Sequence, residues 1–502
     1  MNFKRRFNSA AELEAFAAEL SLFAWPGMVM LLKGDLGAGK STFARAFIRA
    51  LAQGAELDVP SPTFTLVQVY DETRVPVAHA DLYRIGSASE LDELGLEDMT
   101  RSHVVAVEWP EKIFDWPVAD RLLIELSGSG NHRDASITAD GAWELALARN
   151  DAILGFLART RWAGAERHFL EGDASSRRYE TLHMGEEAAI LMDMPARPDG
   201  PPVKDGMPYS AIAHLAENIR AVIAVNGVLA AKGYSAPSSE AYDLAQGFAV
   251  MEDLGRNVYG RMMGDGRDMA EPMATATAVL ADMAQRDWPS EVPLDGQTYH
   301  MPAYDVEAQL IEADLLPSWF WPHLNGTEIP RAALAEFESL WMELLPLTQK
   351  GRRVWTLRDY HSPNLLWLPE RAGLRRVGII DTQDALMGHP AYDLASMLQD
   401  ARVDIDFGLA DALYAHYCAL RKDDPGFDRA EFDVAYAILG AQRATKILGI
   451  FARLSKRDGK HGYLRHIPRV SRYLERNLGH PRLAALKRWF DTHLPPSRRE
   501  TS

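Results

Sequence analysis

A single cysteine, Cys418, stands in 502 residues, which excludes an internal disulfide framework and suits a reducing compartment. No run approaches the roughly 20 apolar residues that a bilayer crossing needs. The start of the chain, polar and then amphipathic, lacks the apolar core of a secretion signal. A cytoplasmic protein with no membrane segment is expected. Excess basic charge is missing too: the net charge is −16 and both halves are acidic, so no direct, unaided grip on RNA or on an anionic membrane is expected. With the one cysteine isolated and the histidines scattered, metal clusters have no ligand spacing to rest on, and no Ser-His nucleophile is recognisable.

What is present is an ordinary globular composition, 47% hydrophobic, in a chain long enough for two to four domains. Short apolar runs at 28–32, 65–70, 104–109 and 121–126 alternate with helical patterns, the rhythm of a compact α/β domain over residues 1–150. The pattern restarts after about residue 158 as a small mixed lobe to 255. Within it, Ile212, Leu215, Ile219 and Ile223 lie at helical spacing across 211–232. Residues 256–490 read as long helices broken by Pro and Gly, and 491–502 as a polar tail.

Gly34-Asp35-Leu36-Gly37-Ala38-Gly39-Lys40-Ser41 is a complete phosphate-binding loop, entered from an apolar strand and left through a helix bearing Phe43, Phe47, Ile48 and Leu51. Gly34, Gly37 and Gly39 let successive amides converge on an anion at a helix amino terminus; Lys40 reaches the β/γ phosphates, and Ser41 can hold Mg²⁺. A carboxylate at the end of a neighbouring strand completes such a site, and the run Val104 to Val107 ends in Glu108. Ser61-Pro62-Thr63-Phe64 and His79 to Arg84 are polar clusters at strand ends, where catalytic groups gather in open sheets and where plain turn chemistry is the alternative.

Four motifs in chain order, Gly34 to Thr42, Ser61 to Val67, His79 to Arg84 and Val107 to Glu111, resemble the TsaE (YjeE) ATPases of bacterial tRNA threonylcarbamoyladenosine synthesis. The resemblance implies ATP binding and slow hydrolysis that support a TsaB/TsaD-type partner complex, with tRNA contacted only indirectly. By motif, Lys40 would grip phosphate, Ser41 and Glu108 would hold Mg²⁺, Thr42 would support the nucleotide, and Asp81 would lie close to the reacting phosphate.

In the second half, Asp359, Asn364 and Asp381 have the spacing of a carboxylate beside an attacking hydroxyl and two oxygen ligands for Mg²⁺. Phe248 to Gly255 reads as a strand and hinge where an adenine would be received, with Glu252 at its edge and Gly255 permitting the bend. Gly172 to Tyr179, with Ser175, Ser176 and Arg177 or Arg178, could fold over phosphates or be a solvated loop.

Most of 158–490 thereby resembles the aminoglycoside phosphotransferases, and its motifs Ile190 to Pro195, Asp381 to Ala385 and Tyr392 to Ser396 are similar to the AmgK-like branch. That branch phosphorylates the anomeric hydroxyl of N-acetylmuramic acid and N-acetylglucosamine in peptidoglycan recycling. The resemblance makes Asp359 the base, Asn364 and Asp381 the Mg²⁺ ligands, and Asp393 a brace for the helical lobe. The expected fold class is therefore α/β: a P-loop sheet domain followed by a bilobal, protein-kinase-like α+β domain, each using ATP and Mg²⁺. Two departures stand out. Leu357 occupies the usual histidine position, and 188–194 carries no lysine, so Arg177, Arg178 or Lys204 would have to supply that charge. Another small alcohol as substrate, of aminoglycoside or choline type, and a non-catalytic scaffold both remain open at this stage, as does a ring-stacking role for Trp319 and Trp321.

Overall fold

A computed structural model describes residues 1–54, 56–112, 118–128, 132–170 and 177–500. Ser175 and Ser176 lie outside the described residues. The chain forms two compact units, Met1–Asp193 and Met194–Ser502.

The first unit opens with β1 (Asn2–Phe7), α1 (Ala10–Ser21), β2 (Val29–Lys33) and α2 (Lys40–Leu51). Next come β3 (Val67–Tyr70), β4 (Val77–Asp81), β5 (Val104–Glu108), β6 (Arg121–Ser127), β7 (Arg133–Ala139) and α3 (Ala142–Leu157). Among the described residues the strands make one seven-stranded sheet in the order β1-β7-β6-β2-β5-β4-β3. The central strands β6, β2, β5 and β4 run parallel, so their carboxyl ends share one edge, and the register sets Leu32 and Asp81 on either side of Glu108. All five residues of β4 and of β5 are buried, as expected for strands covered on both faces. Phe43, Phe47, Ile48 and Leu51 are fully buried, which ties α2 to the sheet and holds its amino terminus at that edge.

Three further antiparallel strands, β8 (Glu166–Leu170), β9 (Arg178–Met184) and β10 (Glu187–Asp193), belong to the same unit. The compact division thus falls inside the stretch 158–255, and polar contacts give the reason. Arg167 pairs with Glu180 at 2.7 Å, both side chains at most 3% exposed, and also donates to Asn150 Oδ1 on α3. Arg149 of α3 bonds Asp193, while Arg178 lies over the Phe23 ring and donates to the Leu22 carbonyl at 2.8 Å. An arginine held by a ring and a carbonyl is oriented as well as neutralised.

The second unit contributes α4 (Arg220–Ala231), the hairpin β11 (Ser239–Asp243) and β12 (Phe248–Glu252), α5 (Ala270–Met283) and α6 (Val306–Ala313). The helical spacing over 211–232 resolves into a single turn, Tyr209–Ile212, and α4; His214 at φ 52° breaks the run between them. Two small two-stranded antiparallel sheets follow, one nested in the other: β13 (Val354–Thr356) pairs with β16 (Leu386–Gly388), and between them β14 (Leu365–Trp367) pairs with β15 (Val377–Ile379). Then come α7 (Ala391–Leu398), buried throughout, and α8 (Arg429–Asp458), whose 30 residues traverse the lobe. Trp319 and Trp321 pack into an apolar cluster with Phe320, Phe337 and Trp489, which places them in the core and away from a ring-stacking role.

Close packing of α8 depends on Gly449. A Cβ there would lie 2.3 Å from the Leu315 carbonyl carbon and 2.4 Å from its oxygen, backbone atoms that cannot rotate aside. Gly449→Ala is expected to destabilise the second unit by about 3 kcal/mol, measured by denaturant unfolding.

Candidate active sites

At the carboxyl edge of the first sheet, Gly34, Gly37 and Gly39 have φ of 145°, 79° and 109°, conformations that L side chains rarely adopt. At Gly34 space also forbids a side chain, since a Cβ would stand 2.3 Å from the Leu126 carbonyl oxygen. Lys40 Nζ donates to the carbonyls of Gly34 at 2.6 Å and Asp35 at 2.9 Å, and lies 3.6 Å from the centre of the Trp109 ring. Burial lowers its pKa, against the opposing pull of Glu108, Glu111, Asp81 and Asp35. Such a lysine is held ready by weak neutral partners that a phosphate, bearing full charge, would displace.

Ser41 Oγ donates to Glu108 Oε2 at 2.8 Å, and His79 Nε2 lies 3.0 Å from Glu108 Oε1. Both oxygens of a buried carboxylate are thereby fixed next to the phosphate loop. Asp81 accepts from Ser61 and Thr63 on one oxygen and from the Tyr83 amide on the other, so it clamps the Ser61–Thr63 turn beside Glu108. Thr42 follows in the first turn of α2, half-buried. Arg133 escaped the sequence reading. From β7 it donates to the carbonyls of Ala38 at 2.8 Å and Gly37 at 3.2 Å, tying the loop to the neighbouring strand.

A hydroxyl and a carboxylate 2.8 Å apart at a phosphate loop fit Mg²⁺, which takes one or two protein oxygens and draws its other ligands from water and phosphate. A bound ion would neutralise charge on the phosphates, with Ser41 and Glu108 as its protein ligands.

The second unit gathers the other expected triplet. Asn364 Nδ2 donates to the Asp359 carbonyl at 3.0 Å and reaches Asp381 Oδ2 at 3.4 Å. With its nitrogen so engaged, Asn364 can turn its oxygen towards a cation. Gln383 bonds the other oxygen of Asp381 at 3.0 Å. Arg358 and Asp381 both adopt positive φ, 67° and 62°, at the two bends that bring the segments together. Burial pushes the Asp359 carboxyl up, but His361, Lys446, Arg443 and Arg358 outweigh it and hold its pKa below the ordinary carboxylate value.

The loop is fixed from beneath by two acids. Asp393 on α7 accepts from the amides of Leu357 at 2.6 Å and Arg358 at 2.9 Å, which is the bracing role expected of it. Burial still pushes its carboxyl up to about 7. Asp400 accepts from the Ser362 amide at 2.8 Å. Since the backbone of residue 357 does the holding, its side chain is free to be apolar, and Leu357 is 2% exposed within the main core cluster.

Arg358 runs the other way, into a fully buried group: it pairs with Glu312, which also accepts from Lys446 at 2.7 Å and Tyr304 at 2.6 Å. Burial opposes ionisation of Glu312, and the two cations override it, taking its pKa down to about 2. Of the other expected residues, Glu252 turns its carboxylate to Arg371 at 2.5 Å and to Ser238, while its amide closes onto the Ser238 carbonyl. Burial and then Glu338 push the Asp314 carboxyl up to about 7, and Lys204 lies near enough to oppose them in part, while Arg178 is engaged by Phe23 and Leu22 as described. A cavity of about 350 Å³ lined by His389, Arg421, Phe427 and Glu431 contains none of the expected site residues.

Residues 7–135 match the family model for threonylcarbamoyl adenosine biosynthesis protein TsaE, and residues 166–432 that of the phosphotransferase enzyme family. The chain belongs to both families. It is 39% identical over 360 residues to an N-acetylmuramate/N-acetylglucosamine kinase of Caulobacter vibrioides, covering 70% of this chain and 98% of that one. A kinase of the same description from Pseudomonas aeruginosa is 31% identical over 322 residues, 62% of this chain and 84% of that one. The TsaE protein of Bacillus subtilis is 38% identical over 156 residues, 30% of this chain and 96% of its own length. Both the TsaE domain and the phosphotransferase domain are thus enzymes of ATP-using families, joined in one polypeptide. Among the described residues, no helix is long and apolar enough to cross a membrane.

Proposed function

We propose that the TsaE domain hydrolyses ATP in support of tRNA threonylcarbamoyladenosine formation and that the phosphotransferase domain phosphorylates the anomeric hydroxyl of N-acetylmuramic acid and N-acetylglucosamine. The observation that carries the kinase reading is the convergence of Asp359, Asn364 and Asp381 through one amide side chain. In the transfer, the sugar hydroxyl oxygen bonds to the γ-phosphorus of ATP as the bond to the β,γ-bridging oxygen breaks. Asp359, ionised at neutral pH, orients that hydroxyl and accepts its proton. Asn364 and Asp381 would hold Mg²⁺, whose charge steadies the phosphates.

In the TsaE domain, Lys40 and the glycine amides would hold the phosphates and Ser41 and Glu108 the ion, with Asp81 keeping the Ser61–Thr63 turn beside them. The acidity of the chain fits partners of TsaB/TsaD type making the tRNA contact. Incubation of the purified protein with ATP, Mg²⁺ and either amino sugar is expected to give a sugar 1-phosphate, located by the phosphorus coupling of the anomeric proton. Phosphate on another hydroxyl, or none on either sugar, refutes the kinase reading.

A further inference from the structure

The register of β4 and β5 sets His79 opposite Ala106 and Asp81 opposite Glu108, and because side chains alternate along a strand, His79, Asp81 and Glu108 all point to one face. Ser41 reaches Glu108 from α2, so that face is the one α2 covers. The two acids are served separately. Asp81 takes its bonds from Ser61, Thr63 and the Tyr83 amide, whereas Glu108 takes one on each oxygen, from Ser41 at 2.8 Å on Oε2 and from His79 at 3.0 Å on Oε1. A carboxylate only accepts, so Nε2 of His79 is the donor.

His79 has no second polar contact. It is 1% exposed, and its Nδ1 is buried without a hydrogen-bond partner among the described residues. Beside it on that face stand Val77 and Ala106, apolar and fully buried, and Gln68, whose amide bonds the Val69 carbonyl instead. An imidazole with one nitrogen unsatisfied costs stability that an apolar side chain in the same place would not, and what it gains there is a bond to one oxygen of Glu108.

The consequence for a cation is geometric. With Ser41 as its only donor, the Glu108 carboxylate could turn about its terminal bond and bring both oxygens to an ion. Ca²⁺ accepts a carboxylate in that way, whereas Mg²⁺ demands near-octahedral geometry, for which the two oxygens of one carboxylate stand too close together. The bond from His79 holds Oε1 back and leaves Oε2, the oxygen beside Ser41, as the one on offer.

Resting on the Mg²⁺ role of Ser41 and Glu108 proposed above, we infer that His79 is a positioning residue that presents Glu108 to the cation through one oxygen and thereby selects Mg²⁺ over Ca²⁺.

The test is calorimetric binding of a non-hydrolysable ATP analogue to the full-length chain carrying Asp381→Ala, so that the nucleotide site of the TsaE domain is read alone. The dissociation constant is measured in EDTA, with Mg²⁺ and with Ca²⁺, and the tightening by each ion is its ratio to the EDTA value. Adding His79→Leu should cut the tightening by Mg²⁺ about 10-fold or more, the usual cost of losing a partner that orients a metal ligand. Tightening by Ca²⁺ should change by less than about threefold. Binding in EDTA should hardly change, because Lys40 and the loop amides are untouched. His79→Gln, whose side-chain amide can donate to Oε1, should recover most of the Mg²⁺ ratio. An unchanged Mg²⁺ ratio in the Leu variant, or an equal loss for both ions, overturns the assignment. Weaker binding in EDTA would mark a merely structural role, which also overturns it. Should His79→Leu not fold, His79→Asn, whose shorter amide does not span to Oε1, takes its place. The metal reading fails separately, and takes the inference with it, if Mg²⁺ does not tighten binding to the parent chain at all.

Discussion

Asp359→Asn is expected to lower kcat for sugar phosphorylation by about 10³-fold with KM for the sugar little changed, since it removes the proton acceptor and keeps the shape. The loop should survive the change. Its position is set by Asp393 and Asp400 on the backbone, and Asn364 bonds the Asp359 carbonyl, which the substitution does not touch. Thermal unfolding should therefore move little, separating a chemical defect from a structural one. Hydrolysis of ATP by the TsaE domain should be unaltered in this variant. The measurement is a steady-state assay of both activities on one preparation, and a loss smaller than tenfold would remove Asp359 from its role.

Lys40→Ala should produce the opposite split. Without the ammonium the phosphate loop keeps its amides and helix terminus but loses the charge its own motif offers to the β/γ phosphates, so nucleotide affinity of the TsaE domain should fall by about 100-fold or more. Support of tRNA modification in a reconstituted system should disappear, while sugar phosphorylation stays within twofold. Stability should drop by about 1–2 kcal/mol, because the Gly34 and Asp35 carbonyls lose their donor. Lys40→Arg is not expected to rescue binding, since the longer planar head cannot occupy the space under Trp109 in the same way.

Much of both sites was legible in the chain because their chemistry is local. A phosphate loop needs its glycines, lysine and serine in one run between a strand and a helix, and that run sits where the sheet edge was expected. Glu108 could be read from the apolar run that ends in it, and its fully buried strand confirms why the run is apolar. Asp359, Asn364 and Asp381 announce themselves through spacing across two short, nested strand pairs. Other groups could not be read because they arrive from afar. Arg133 reaches the phosphate loop across 95 positions, from a strand whose sequence says only that it alternates. Arg443 lies in the middle of a 30-residue helix, where an arginine ordinarily marks a solvated face; its burial follows from the packing of α8 against α7 and becomes visible only in three dimensions. Arg178 shows a third case. Its place beside the glycine-containing loop suggested a phosphate ligand, but a cation can be claimed by any nearby ring and carbonyl, and Phe23 and Leu22 claim it.

That one polypeptide holds two independent nucleotide sites is tested most directly by calorimetric titration with a non-hydrolysable ATP analogue and Mg²⁺. The expected stoichiometry is two per chain in the wild type, one in Lys40→Ala and one in Asp381→Ala. A single equivalent in the wild type, or loss of both in either folded variant, would contradict it.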